Sequence, residues 1–270
     1  MEYRLYLPVI VLTIIVAALG LITALAGLLT KDLYAGNSVS MIAQGKGQDL
    51  VTAAIAVPAT IIILVFAIQG SFKAQLALAG LLGYFLYTYA SYVFAWKFNN
   101  LFLAYVAAFS GSLFGFILIM AQLTGFAGRL SAARPPIVYS SILLFLVAAA
   151  LLFMWLSQIA QAMQGKAVPI IADTEGRLVI QGLDLGILVP MTIVIGVMLL
   201  QGVPMALVWL PVLLVKGLTM GLAIVSMTIF MARAGTPDQT GAVIFLVLTL
   251  LFIIGFVWVF ASLKVGEATG

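Results

Sequence analysis

The sequence predicts an all-α, polytopic integral membrane protein. Its eight transmembrane helices are expected to form two parallel four-helix repeats related by a pseudo-twofold axis along the membrane normal. Three observations carry this prediction. Of 270 residues, 65% are hydrophobic and only 7% charged, whereas a soluble domain carries roughly 25% charged residues. Apolar runs of about 20 residues, the length that crosses a bilayer, recur from end to end. The stretch from Val57, VPATIIILVFAIQG, returns from Val189 as VPMTIVIGVMLLQG, with eight of 14 positions identical at an offset of 132 residues. Leu and Ile coincide cheaply between apolar helices. Pro, Thr and a terminal Gln-Gly pair at one spacing do not.

Taken in order, the spans cover 7–29, 50–69, 75–96, 101–123, 137–159, 185–202, 205–231 and 241–263. The first follows Arg4 and contains Ala24-Leu25-Ala26, which resembles a signal cleavage site, but its apolar run is too long for a signal h-region. It is retained as a helix. The sixth is the shortest and admits an earlier start. The two repeats then occupy 1–132 and 133–270. At the common offset 7–29 overlays 139–161 and 75–96 overlays 207–228, while the fourth and eighth spans match in hydropathy alone. Gly47-Gln48-Asp49-Leu50 resembles Gly182-Leu183-Asp184-Leu185, with a three-residue length change before the Pro motif. An even number of spans per repeat gives both copies the same orientation.

Loop charge sets that orientation. The side bearing both termini carries five basic and two acidic residues, and the other side six of each. Both termini are therefore expected in the cytoplasm of a prokaryotic inner membrane. The long connections 30–49 and 160–184 fall outside and are expected to form short helices or turns. The lipid bilayer is the first partner. A net charge of +4 spread over short loops leaves no basic face for nucleic acid. No cysteine and no histidine are present, which removes disulfides, thiolate chemistry and histidine-based metal or haem sites. The sequence also lacks the usual neutral-pH base. No cofactor and no metal are expected, and an enzyme is disfavoured.

Lys216 carries the strongest functional signal. It lies near the middle of the seventh span, roughly 3 Å from the midplane at 1.5 Å per residue, too deep to snorkel easily. Nothing acidic shares its apolar stretch. It is expected to face protein or water, where it would bind an anion or electronegative solute, titrate, or form a Schiff base with a carbonyl ligand such as retinal. The structural alternative is a lysine tied to carbonyls or hydroxyls. Its equivalent in the first repeat is Tyr84, which shares a helix face with Tyr87. Tyr84 is expected to meet Lys216 across the axis, accepting a hydrogen bond or placing its ring over the ammonium, with aromatic packing as the plainer alternative, whereas Tyr92 and Trp96 read as an interfacial belt. Pro58 and Pro190 are matched bends, each followed two residues later by Thr60 or Thr192. Pro211 should bend the helix of Lys216. Asp49 and Asp184 read as N-caps of the second and sixth spans, or as paired carboxylates at an outer cleft.

The leading functional expectation is a small-solute transporter or channel with Lys216, Tyr84, Tyr87, Thr60 and Thr192 at its site. A non-catalytic scaffold subunit with membrane-protein partners is the second, and a retinal-binding photoprotein the third.

Overall fold

The architecture comes from a computed structural model that describes residues 3–236 and 239–266. Eight helices among these residues are long and apolar enough to span a membrane, so the chain is an all-α integral membrane protein. Helix α1 covers Leu7–Leu29, with Pro8 in its first turn, where the missing N–H costs nothing. Helix α2 covers Val39–Val51 and is capped by Ser38, whose hydroxyl accepts from the Met41 amide at 3.1 Å. It runs without interruption through a π-helical turn, Thr52–Ala56, into α3, Val57–Ile68. Ser71 caps α4, Phe72–Phe94, and α5 covers Phe102–Thr124. After a 3-10 turn and a two-residue strand β1, Leu130–Ser131, helix α6 covers Arg134–Met163.

A short α7, Pro169–Asp173, precedes α8, Val179–Leu183, a second π turn, Asp184–Leu188, and α9, Val189–Leu200. Helix α10 covers Pro204–Arg233, α11 Gln239–Ser262 and strand β2 Lys264–Val265.

The two π turns explain how Pro58 and Pro190 sit inside membrane helices. A proline ring collides with the carbonyl one turn back and offers no N–H. An extra residue in the preceding turn relieves that collision. The amides of Val57 and Val189 accordingly bond the carbonyls of Thr52 and Asp184, five residues back. Downstream, Gly70 (φ 91°) and Gly202 (φ 72°) close the two helices in the left-handed region that glycine enters without strain. Pro211, by contrast, lies within an uninterrupted α-helix and has no π turn before it.

Several expected boundaries change. The second span starts at Val39 rather than 50, so most of the expected loop 30–49 is helix. Two glycines and five polar residues hide that extension in the sequence. It is held by packing: Gly45 abuts Trp96, and Gly47 lies so close to Met227 of α10 that a Cβ there would come within 2.5 Å of backbone. The connection 160–184 is shortened by α6 and α8 but keeps a short helix and turns, as expected.

Helices α4 and α10 form the centre. Their most apolar 18-residue windows are 72% and 61% buried, against 22% to 39% for the other six spans. Gly80 brings them into backbone contact, since a Cβ there would lie 2.8 Å from the Val212 carbonyl oxygen. Both described ends of the chain lie on one face, called here the termini face. There β1 pairs antiparallel with β2, and Tyr3 donates from its hydroxyl to the Gly266 carbonyl at 3.3 Å. Gln122 donates to Arg4 O (2.9 Å) and accepts from the Tyr6 amide (3.2 Å), while Gln75 donates to Tyr3 O at 2.6 Å.

Candidate functional site

Lys216 is buried, with 8% of its surface exposed. It lies about 18 Å along α10 from the termini face at 1.5 Å per residue. Its stem runs beside Gly83, where a Cβ would stand 3.7 Å from Lys216 Cγ. Among the described residues its ammonium makes no hydrogen bond to a carbonyl. It sits 4.4 Å from the centroid of the Tyr87 ring, a cation–π geometry that gains strength away from water.

The Tyr87 hydroxyl donates to Asp184 Oδ1 at 2.7 Å, and Trp155 Nε1 donates to Oδ2 at 2.8 Å. Asp184 is 5% exposed and is the carboxylate whose field acts on Lys216. The two form no direct ion pair. Tyr87 stands between them, its ring against the ammonium and its hydroxyl on the carboxylate. Helix rise places Tyr87 and Asp184 about 22 and 24 Å from the termini face, so the chain of contacts climbs from Lys216 toward the far face. Four spans contribute: Tyr87 from α4, Trp155 from α6, Asp184 from the turn before α9, and Lys216 from α10.

A buried carboxylate, Asp184, thus acts on Lys216 from a neighbouring helix rather than from its own stretch. The expected roles of Asp49, Asp184 and Tyr92 need correction here. Asp49 and Asp184 are not N-caps: Asp49 lies within α2, and Asp184 opens a π turn inside a continuous helix. Neither stands at an open mouth, since both are enclosed. Removing them from the loop count leaves the face opposite the termini with six basic and four acidic residues, which narrows the charge difference to one. Tyr92, expected in a lipid belt, is buried, and its hydroxyl donates to Asp49 Oδ1 at 2.8 Å.

Asp49 has its own enclosure. Tyr34 donates to its Oδ2 at 2.6 Å, and Gly27 leaves no room for a side chain beside it. Tyr34 lies outside the spans, and burial together with the Asp49 charge raises its pKa, which keeps the phenol a donor.

Tyr84 is fully buried, and the ring over the Lys216 ammonium is that of Tyr87, not the expected Tyr84. The Tyr84 oxygen accepts from Gln48 Nε2 at 2.6 Å and lies 2.8 Å from Thr52 Oγ1. Thr52 gives its own hydrogen to the Gln48 carbonyl at 2.9 Å, so Tyr84 is the donor to Thr52. The hydroxyls of Thr60 and Thr192 bond their own helices, at Ala56 O (2.7 Å) and Val189 O (2.9 Å). They buttress the segments around Pro58 and Pro190.

Sequence reasoning missed Trp155, Thr52 and Gln48. The 132-residue offset pairs Thr52 with Asp184 and Tyr84 with Lys216, and that register was the signal available. A hollow of about 320 Å3 opens between the far-face ends of α2 and α10, and one of about 300 Å3 between α2, the end of α1 and residues 30–35; Lys46 lines both and Lys216 neither. No family model, curated protein or solved structure matches this chain.

Proposed function

We propose that this protein is a small-solute transporter whose site lies between two four-helix repeats at Lys216, and that it takes an anion or electronegative solute. In this reading the repeats are 1–132 and 133–270, related by a pseudo-twofold axis along the membrane normal, with both termini in the cytoplasm of a prokaryotic inner membrane. One observation carries the proposal. A single buried ammonium is held over an aromatic ring contributed by the other half of the chain, rather than tied to carbonyls as a structural lysine would be. The matching π turns and the equal lengths of α3 and α9 support the duplication. Parallel repeats of this kind bind substrate near their interface in known transporters.

Lys216 recognises the solute, with the Tyr87 ring held against its ammonium. Tyr84, Thr60 and Thr192 stand behind it as supports. Pro58, Pro190 and Pro211 give the helices their points of bending. The test is uptake of radiolabelled pyruvate, lactate, chloride and nitrate by proteoliposomes. Saturable uptake of one of them, abolished by Lys216→Met at equal incorporation, is the expected result. Unchanged uptake in the variant removes Lys216 from the site.

Asp184 beside Lys216 also meets one need of the Schiff-base alternative, a counterion. Incubation with all-trans-retinal tests it: a visible band bleached by hydroxylamine would replace the transport reading.

A further inference from the structure

We infer that anion binding at Lys216 is coupled one-for-one to protonation of Asp184, so that solute and proton cross together without net charge. This deepens the transport reading and rests on it. The argument begins with charge. In the empty site the Lys216 ammonium and the Asp184 carboxylate balance, linked through Tyr87. The other groups facing Asp184 are Trp155 from α6 and Tyr87 from α4, both neutral donors. Gln181, one turn earlier on its own helix, is neutral too. No second cation is contributed there by the described residues.

A monovalent anion docking on Lys216 would therefore leave one uncompensated negative charge in a buried, low-dielectric place, which is costly. A proton on Asp184 removes it. The same proton changes the hydrogen bonding usefully. An ionised Asp184 only accepts, and it occupies the Tyr87 hydroxyl hydrogen. A protonated Asp184 donates from its own carboxyl to the Tyr87 oxygen. Tyr87 is then free to turn its hydrogen toward the anion above Lys216. Trp155 holds the other carboxyl oxygen in either state.

Two forms of the site are thus neutral. One is empty, with Lys216 and Asp184 both charged. The other is loaded, with Lys216, the anion and protonated Asp184. Forms carrying only the anion or only the proton are charged. If only neutral forms reorient, neither solute nor proton crosses alone.

The experiment uses the full chain in proteoliposomes, with radiolabelled pyruvate, lactate, chloride and nitrate as probes. Wild type is compared under an imposed pH gradient and under a potassium–valinomycin potential. The expected result is that one pH unit, acid outside, drives about tenfold accumulation of the transported probe, while a potential of either sign leaves the initial rate unchanged. Asp184→Asn should lose the pH-driven accumulation and retain exchange of labelled for unlabelled probe at a reduced rate. Saturable uptake that responds to potential, or is indifferent to the pH gradient, overturns the coupling and leaves transport standing. So does pH-driven accumulation in a folded Asp184→Asn protein. Absence of saturable flux of all four probes in wild type overturns the transport reading and the coupling with it. The wild-type comparison decides the one-for-one coupling even if the variant fails to fold.

Discussion

The helix that runs into Pro58 and the helix that runs into Pro190 have the same backbone and different contents. In each, a π turn of five residues precedes a 12-residue α-helix. The first residue of the π turn reaches the neighbourhood of a residue in a central span: Thr52 toward Tyr84, Asp184 toward Lys216. In the first case two hydroxyls meet at 2.8 Å. In the second, the equivalent positions hold a carboxylate and an ammonium, separated by a tyrosine from the other central span. A neutral pair so placed can be satisfied locally and left alone. A charged pair at the same depth needs partners from several helices, which makes it sensitive to how those helices are arranged. The far-face approaches differ as well. Before Thr52 the chain is continuous helix packed along α10, whereas before Asp184 it is interrupted at residues 174–178.

The comparison can be broken first at the charges. Lys216→Met leaves Asp184 buried and uncompensated, a loss of about 3–5 kcal/mol. Adding Asp184→Asn should recover a large part of it. Thermal unfolding of the two variants and the double variant in detergent measures this, and additive losses would mean that the charges are not a pair. The phenols come next. Tyr87→Phe removes a hydrogen bond to a carboxylate and should cost about 1.5–3 kcal/mol, whereas Tyr84→Phe removes neutral bonds at about 1 kcal/mol. Equal midpoints would erase the distinction between the two halves. Gly80→Ala tests the shared centre: its Cβ would fall 2.5 Å from Val215 Cβ, an overpacking worth about 1–3 kcal/mol, with the same loss whether or not Lys216 is intact.

The smallest effect belongs to the loops. Glu175 pairs with Lys97 at 2.6 Å, and the Lys97 ammonium lowers its pKa. A depressed carboxylate contributes above its unfolded value of about 4.3 and loses that contribution as pH falls through its folded value. Both side chains are solvent-exposed, so Glu175→Gln should leave the midpoint at pH 7 nearly unmoved. A large shift would show that the interrupted segment is held more firmly than its exposure implies.

The eight spans were legible because about 20 apolar residues report their own burial without help from neighbours. The extension of α2 to Val39 was not. Gln44, Lys46, Gln48, Asp49 and two glycines look like a loop until α10 and Trp96 are placed beside them. Lys216 is legible as an anomaly, but its carboxylate neighbour is not, because Asp184 reaches it through space rather than along the chain. The Gly-x-Asp-Leu resemblance also misled, by pairing Asp184 with Asp49. The unbroken offset pairs it with Thr52, at the same position of the same turn. Tyr84 and Tyr87 lie three residues apart, and spacing could not say which ring meets the ammonium. That depends on rotation about the helix axis, which packing at Gly80 and Gly83 sets.

The contact at Gly80 is also a fulcrum. It lies about 12 Å along α4 from the termini face, and Val212 lies the same distance along α10. Two rods that touch backbone to backbone can tilt about that point far more cheaply than they can part. The remaining arm of α4 is about 21 Å long, so a tilt that parts the ends at the termini face by a given amount moves the far ends nearly twice as far, in the opposite sense. Lys216 lies only about 6 Å beyond the pivot and hardly travels, while Tyr87, farther out on the long arm, swings past it.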